Sequence, residues 1–329
     1  MQGYSILSAS FWTRGRPPLT SYSKSNQINP RALIPIALFI AILAVSTASI
    51  FIKFAQRDAP SLVIAALRLT FASIALAPLA WTRHRAELLS LSRRDVLLGL
   101  LSGLFLSIHF AAWISSLEYT TVASSVVFVS TGPLWVALMS PLFLHEPLTR
   151  PVLIGMAVAL LGGMIIGLSD SCSWTNGLVC DSFSQALHGR AMLGNLLALA
   201  GALAVAGYLM IGRKLRMKIS LIPYIFVVYS TAAIGLLTIM FAAGERPTGY
   251  QPLTYVWILL LALAPQLIGH STYNWALAHL PASFVAITTL GEPIGSAILA
   301  FFILQEAPSI ATLIGGVLIL FGIYLSTRK

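Results

Sequence analysis

Glu292 occupies a position where a carboxylate is hard to keep. It lies between Gly291 and Pro293, near the middle of a long apolar stretch over 281–304. In hydrocarbon such a group costs several kcal/mol unless it faces protein or water, so it marks a functional candidate. Facing water, it could exchange a proton. Hydrogen-bonded between helices it would be structural, and one glutamate does not decide between these roles. A second polar group precedes it. Gln266, His270 and Asn274 recur every four residues in the apolar stretch 255–278 and so share one helical face, with Ser271, Thr272, Tyr273 and Trp275 interleaved. Three polar positions in register favour a water-filled path over a lone buried histidine. His109 and Trp113 add a polar spot at 96–117, and Trp135, Tyr208 and Tyr229 are available as walls.

The remaining acids do not form a catalytic centre. Asp58, Asp95, Asp170 and Asp181 fall in loops or at the ends of apolar stretches, as do Glu87, Glu118, Glu146, Glu245 and Glu306. Metal-dependent or nucleophilic chemistry needs clustered carboxylates or a paired nucleophile and base, and neither pattern is present. No metal and no cofactor is expected. An integral-membrane enzyme acting on a lipid-linked substrate and a membrane scaffold remain as alternatives to a carrier.

The elements that must position these residues are membrane helices. Of 329 residues, 57% are hydrophobic and 9% charged, against roughly 25% charged in soluble domains. Soluble enzymes, nucleic-acid-binding domains and disordered chains are excluded. Ten stretches are long and apolar enough to cross a bilayer: 33–54, 61–80, 96–117, 121–144, 151–168, 191–212, 221–243, 255–278, 281–304 and 308–327. The runs are continuous rather than alternating, which argues against an outer-membrane barrel. Residues 1–32 form a polar, basic tail without the apolar core of a signal peptide.

Assigning the loops alternately to two sides sorts the charges. Fifteen of the 20 basic residues fall on one side: Arg14, Arg16, Lys24, Arg31, Arg83, Arg85, Arg93, Arg94, Arg150, Arg213, Lys214, Arg216, Lys218, Arg328 and Lys329. The other side receives Lys53, Arg57, Arg190 and Arg246, while Arg68 lies inside a span. This is the positive-inside pattern, so both termini are expected in the cytoplasm and the net charge of +10 reports topology, not nucleic-acid binding. The longest external loop, 169–190, holds both cysteines, Cys172 and Cys180, which an oxidising exterior could join in a disulfide.

A shift of 160 residues lays 117–167 over 277–327 without a gap, with matches that include Pro133/Pro293, Glu146/Glu306, Gly155/Gly315 and Gly162/Gly322. The chain therefore divides into two five-span units, 33–168 and 191–327. Five is odd, so the second unit enters the membrane in the opposite orientation, a construction found in secondary transporters. Kinks are expected at Pro133 and Pro293, with further breaks at Pro141 and Pro265. The pairs Gly99/Gly103, Gly163/Gly167 and Gly291/Gly295 have the GxxxG spacing of close helix contacts. Spans five and ten, glycine-bearing and without central charges, read as packing elements and leave a homodimer open.

The run Gly269-His270-Ser271-Thr272-Tyr273-Asn274-Trp275-Ala276-Leu277 is followed by Leu280-Pro281-Ala282-Ser283, Leu290-Gly291-Glu292-Pro293 and Leu304-Gln305-Glu306. Together these resemble the second EamA domain of the drug/metabolite transporter superfamily. Trp113, Leu117, Pro133, Leu144, Glu146, Gly155 and Gly162 echo it in the first half. The resemblance implies an all-α integral membrane fold with ten transmembrane helices as two inverted five-helix repeats. It also implies an inner-membrane carrier for a small metabolite such as an amino acid, working as exporter or exchanger. Its central cavity would be lined by helices 1, 3, 4, 6, 8 and 9. Carried over to this chain, the cavity residues are His109, Trp113, Trp135, Tyr208, Gln266, His270, Tyr273, Asn274 and Glu292. Lys53 matches a basic residue common at the end of the first helix, and Arg68 an arginine of helix two with a packing role. One departure stands out: Val45-Ser46 replaces the family's Trp-Gly pair in helix one.

Overall fold

The computed structural model describes residues 30–120, 125, 128–169, 172–173, 179–180, 189–304, 310–326 and 328. Arg14, Arg16 and Lys24 of the tail lie outside these residues, as do Asp170, Asp181, Gln305, Glu306 and Lys329. The described chain is helical, as hydrocarbon demands of a backbone that must satisfy its own hydrogen bonds. The helices are α1 (Pro30–Ser46), α2 (Ala48–Ala55), α3 (Ser61–Arg83), α4 (Arg85–Ser90), α5 (Arg93–Ser116), α6 (Gly132–Phe143) and α7 (Arg150–Ser169). A two-residue ribbon follows, β1 (Cys172–Ser173) and β2 (Val179–Cys180), antiparallel with Cys172 opposite Cys180. Then come α8 (Gly189–Arg216), α9 (Leu221–Ala242) and α10 (Pro252–Leu261), which runs on through a π-helical segment (Ala262–His270) into α11 (Ser271–Ala276). The chain closes with α12 (Ala282–Thr289), α13 (Glu292–Leu304) and α14 (Ile310–Ser326).

Among the described residues seven helical stretches are long and apolar enough to cross a membrane: Leu33–Ala55, Ser61–Arg83, Arg93–Ser116, Arg190–Arg216, Leu221–Ala242, Pro252–Ala276 and Ala282–Ile303. Three shorter apolar helices, Gly132–Phe143, Arg150–Ile165 and Leu313–Ser326, overlap the stretches 121–144, 151–168 and 308–327. Large apolar side chains such as Ile36, Phe39, Leu138, Leu142, Phe302 and Val317 are exposed on the outside of the bundle. A soluble protein would not carry such a belt; a lipid-facing one does.

The 160-residue shift extends through the fold. α3 and α9 begin at 61 and 221, α6 and α13 at 132 and 292, α7 and α14 at 150 and 310, and α5 and α11 end at 116 and 276. The repeat-related helices α7 and α14 cross each other at their repeat-related glycines. A Cβ added at Gly162 would lie 2.5 Å from the Gly315 carbonyl oxygen, and one at Gly322 would lie 2.5 Å from that of Gly155. As the number rises from 155 to 162, its partner falls from 322 to 315, so the two helices run antiparallel. Two helices that the 160-residue shift relates thus run in opposite directions. Gly163, by contrast, has nothing within 4 Å of an added Cβ, so this member of the Gly163/Gly167 pair makes no helix contact within the chain. Gly99 and Gly103 do, packing α5 onto Val227, Val228 and Thr231 of α9.

Four loop acids that looked dispersed in sequence each cap the start of a helix elsewhere. Glu118 Oε1 accepts from the Ser61 amide at 3.1 Å, and Glu146 Oε2 from the Ala282 amide at 3.1 Å. Asp58 Oδ2 accepts from the Gln251 amide and the Thr254 hydroxyl, both at 2.8 Å. Glu87 accepts from the Ser220 amide at 2.7 Å and from its hydroxyl. Helix amino ends carry orphan N–H groups and partial positive charge, so a carboxylate from another element joins loop to helix. These bonds divide the loops between two ends. Glu87–Ser220, Asp95–Lys218 and Glu146–Arg213 share one end. Glu118–Ser61, Asp58–Gln251 and Thr120–Asn195 share the other.

The expected proline kinks are complete breaks. α12 stops at Thr289, Leu290 and Gly291 form a turn, and α13 restarts at Glu292 with Pro293 in its first turn. α6 likewise starts at Gly132 with Pro133 beside it. A proline in a first turn lacks only an amide that would have no helical partner, so a new helix start costs less than a kinked interior. Pro141 and Pro265, expected to break their spans, do not. α6 runs past Pro141 to Phe143, and Pro265 sits inside the π-helical segment. A third break has no proline at all. α1 and α2 separate at Thr47, whose hydroxyl bonds to the Ala44 carbonyl at 2.7 Å, while Ser46 Oγ bonds to that of Ile42 at 2.6 Å. Hydroxyls that compete for helix carbonyls in this way bend the helix.

Two outcomes test this packing. Gly162→Leu lowers stability in detergent by about 1–3 kcal/mol, while Gly163→Leu leaves it near wild type; equal melting temperatures for the two variants would refute the crossing. Burial pushes the Glu87 carboxyl up, but the two Ser220 hydrogen bonds and nearby His84 outweigh it and hold the group below its ordinary value of 4.5. A depressed carboxylate stabilises the fold above its unfolded pKa and loses that stabilisation as pH falls through its folded value. Glu87→Gln is therefore less stable than wild type at neutral pH, and the difference closes under acid conditions below about pH 4, as followed by thermal denaturation across pH.

Candidate functional site

Arg68 is the charged side chain at the centre of the bundle. It lies midway along α3 and is 1% exposed. Its Nε donates to Gln266 Oε1 at 3.1 Å, and its guanidinium carbon stands 4.2 Å from the centre of the Phe110 ring. The ring face carries negative charge density and supplies part of the compensation that water would give. Among the described residues Nη1 is buried without a hydrogen-bond partner. The carboxylate that acts on Arg68 electrostatically is Glu292, yet no ion pair joins the two.

Glu292 opens α13, just after the break in its span. It is half-buried. His270 has the same character. The break in the first span lies against this point: Ser46 Oγ donates to the Glu292 carbonyl at 3.1 Å, and Ser296 Oγ donates to the Ser46 carbonyl at 3.1 Å. Gly295 lets Ser46 approach, and Gly269 does the same for Val45, whose Cγ1 would be 2.5 Å from an added Cβ. The Val45-Ser46 pair thus holds two interrupted helices together.

The polar run of the eighth span surrounds Arg68 from the other side. Asn274 Nδ2 donates to the Tyr208 hydroxyl at 2.5 Å and to the His270 carbonyl at 2.9 Å, and lies 3.4 Å from the Tyr229 hydroxyl. Tyr229 also meets Ser271 Oγ at 3.2 Å. Because the π-helical segment widens the turn, Ser271 Oγ reaches back five residues to the Gln266 carbonyl at 3.3 Å. The four-residue spacing read as one α-helical face is therefore bent around this bulge: Gln266 and Asn274 are fully buried, and His270 is half-buried. Ring contacts continue the chain, His270 against Phe110 at 5.4 Å and against Tyr273 at 6.4 Å.

Of the residues expected at the cavity, Gln266 bonds Arg68, Asn274 joins Tyr208 to the His270 carbonyl, and Tyr273 lies against His270. His109 is beside them but acts as a clasp. Its Nδ1 lies 2.9 Å from the Gly201 carbonyl oxygen, which can only accept, so that nitrogen carries the proton and ties α5 to α8. Trp113 stacks on His109 at 5.9 Å with Nε1 unpartnered. Trp135 bonds to Thr131 of its own span at 3.2 Å and has no hydrogen bond to the central group. Sequence reading missed Phe110 and gave Arg68 only a packing role. A full charge in mid-span was the signal available for Arg68; nothing marked Phe110 among other apolar residues.

Among the described residues no group of three His, Cys, Asp or Glu side chains comes together as a metal would require. A separate cavity of about 430 Å³ opens among the loops at the Asp58 and Glu118 end, lined by residues 56–60 with Leu117 and Glu118.

Comparison with known proteins is consistent with this architecture. An uncharacterized transporter of Archaeoglobus fulgidus is 25% identical over 304 residues, covering 92% of this chain and 99% of its own. The pseudopaline exporter CntI of Pseudomonas aeruginosa is 25% identical over 291 residues, covering 87% of this chain and 94% of its own. A solved crystal structure superposes with a TM-score of 0.71 at 20% identity, over 90% of this chain and 96% of that one, a likeness of fold. The model of the EamA-like transporter family matches twice, at residues 33–168 and 192–328. With both halves matched, this multi-pass membrane protein belongs to the EamA-like transporter family.

Proposed function

We propose that the chain is a secondary transporter that exports or exchanges a small metabolite, such as an amino acid or related compound, by alternating access through the space beside Glu292. In this reading ten transmembrane helices form two inverted five-helix repeats, 33–168 and 191–327. Both termini lie in the cytoplasm, and the protein resides in the inner membrane. The observation that carries the proposal is the meeting of two interrupted helices, α1–α2 and α12–α13, at Glu292. Interrupted helices at membrane depth expose backbone groups and belong where a cavity or buried protein satisfies them. Two inverted halves supply two near-equivalent packings, one open to each side. The export direction draws on the relative named as an exporter. No cofactor enters the mechanism.

Purified protein in liposomes is expected to catalyse counterflow of labelled metabolites, with Glu292→Gln lowering the rate on the order of tenfold or more while the protein still purifies as a folded monodisperse species. His270→Ala is expected to act in the same direction. Absence of flux across a broad metabolite panel in well-reconstituted vesicles would sink the transport reading.

The same reading places the 169–190 loop outside the cell. There the register of Cys172 opposite Cys180 favours a disulfide across the ribbon. A membrane-impermeant maleimide added to intact cells is expected to label the protein only after reduction. Labelling without reduction would refute the bridge, and labelling confined to inside-out vesicles would refute the orientation.

A further inference from the structure

We propose that the hairpin 271–289, made of α11, the turn over Leu277–Pro281 and α12, is a gate arm, and that Glu146 and Arg213 form the latch that holds it shut. The arm stands at the end of the bundle that also carries Glu87 and Asp95, the cytoplasmic end in the reading above. This inference rests on that transport reading and assigns the part that moves and the contact that stops it.

The latch is built across the gap between two helix ends. The span Pro252–Ala276 is capped at Leu277, and α12 begins at Ala282. Arg213 Nη1 donates to the Leu277 carbonyl at 2.8 Å, and Glu146 Oε2 accepts from the Ala282 amide at 3.1 Å. Arg213 Nε then donates to Glu146 Oε1 at 2.6 Å, which closes the circuit. The cation thus sits on a carboxyl-terminal helix end and the anion on an amino-terminal one, each where the helix dipole favours its sign. Both side chains are largely buried, at 16% and 18% exposure. Three residues on, Arg216 Nε donates to the Asn274 carbonyl at 3.0 Å, so two arginines of α8 grip two carbonyls one helical turn apart. Glu146 is delivered by a sharp turn. α6 ends at Phe143, and His145 takes a φ of 55°, in the left-handed region that residues with side chains rarely enter.

The arm has an irregular joint at each root. α11 follows directly on the π-helical segment Ala262–His270, and α12 stops at the Leu290–Gly291 turn before α13. Bulged turns and helix breaks are where a helix bends, and a hinge needs only a few such positions. Between the joints both legs are regular α-helix. A stiff hairpin jointed on both legs and held at its tip by an ion pair is free to swing once the pair opens. The arm also reaches the centre, because Asn274, whose carbonyl Arg216 holds, donates from Nδ2 to the Tyr208 hydroxyl and to the His270 carbonyl. The repeat keeps the parts of the latch. Under the 160-residue shift Arg213 answers Lys53, Glu146 answers Glu306 and Leu277 answers Leu117. Alternating access asks each half to take the other's role in turn, which is a reason to retain a closing contact's charges in both.

A contact that only staples the fold would show the same bonds, so the test is what its loss moves. Spin labels at His279, at the exposed tip, and at Lys214, exposed on α8, report the arm by pulsed distance measurements in nanodiscs, in a Cys172→Ser, Cys180→Ser background. Wild type is expected to give one dominant distance. Arg213→Gln and Glu146→Gln are each expected to raise a longer-distance population on the order of tenfold. Arg213→Lys, which keeps the charge without the planar fork, raises it less. Glu118→Ala removes a helix cap at the other end and is expected to lower the melting temperature with the distance unchanged. An unchanged distribution in both Arg213→Gln and Glu146→Gln would overturn the latch, and so would an equal shift in Glu118→Ala. Counterflow of the labelled metabolite panel with wild type separates the two readings. Flux from wild type with no distance shift in either variant sinks the latch alone. A shift in the variants with no flux from wild type supports the latch and counts against transport.

Discussion

In the bilayer core a polar backbone group has no water to fall back on, so each interruption of a helix must be satisfied by neighbouring protein or by the space it lines. This chain interrupts the spans Leu33–Ala55 and Ala282–Ile303 and brings the interruptions face to face. Ser46 donates to the Glu292 carbonyl, and Ser296 donates back to the Ser46 carbonyl. The contact joins the first repeat to the second at the depth where Glu292 begins its half-helix. Gly269, Gly291 and Gly295 keep the surrounding backbones close enough for it to form, since a side chain at any of them would strike Val45, Ile42 or Ser46. Without that closure the breaks would be two unsupported defects at the backbone carbonyls of Ser46 and Glu292.

The same constraint explains the scarce acids. Helix starts at the membrane surface carry orphan amides, and Asp58, Glu87, Glu118 and Glu146 each accept from one belonging to another element. Glu146 also holds Arg213 at 2.6 Å, and Arg213 Nη1 donates to the Leu277 carbonyl at 2.8 Å. One end of the bundle is thus laced across both repeats. Charges spent in this way serve geometry, which leaves Arg68 and Glu292 as the pair at the centre with no partner of that kind.

Much of this was legible from residue order, because membrane helices are written in local composition. Apolar length marked seven stretches that are long enough to cross a membrane among the described residues, and the 160-residue shift found over 117–167 continues to the starts of α3 and α9. Gly155, Gly162, Gly315 and Gly322 stood out as repeat identities and proved to be the crossing of α7 and α14. What stayed hidden depends on partners distant in sequence. Nothing local to Glu118 says that it caps Ser61, 57 residues away. The break at Thr47 lacks a proline, and hydroxyl bonds like those beside it also occur in an unbroken helix, at Thr70 and Ser73. The π-helical segment altered the face on which Gln266, His270 and Asn274 lie, because a periodicity argument assumes one helix type throughout. Arg68 was noticed as a charge, but its role depends on Gln266, 198 residues on, and on the ring of Phe110.

The scaffold obeys the repeat while the chemistry departs from it. Under the 160-residue shift Pro133 answers Pro293, but the position answering Glu292 is Gly132, that answering Arg68 is Val228, and that answering Gln266 is Leu106. His270 answers Phe110, and those two rings face each other at 5.4 Å, close to where the symmetry relating the halves must pass. A symmetric scaffold offers two equivalent ways of packing, which alternating access needs. A symmetric site would offer the cargo two equivalent ways of binding, which selectivity does not need. Placing the charged and amide groups at positions whose repeat partners are apolar or glycine keeps the first property and removes the second. In the transport reading proposed above, the residues that break the repeat are therefore the ones to read for the cargo, and the residues that keep it are the ones to read for the motion.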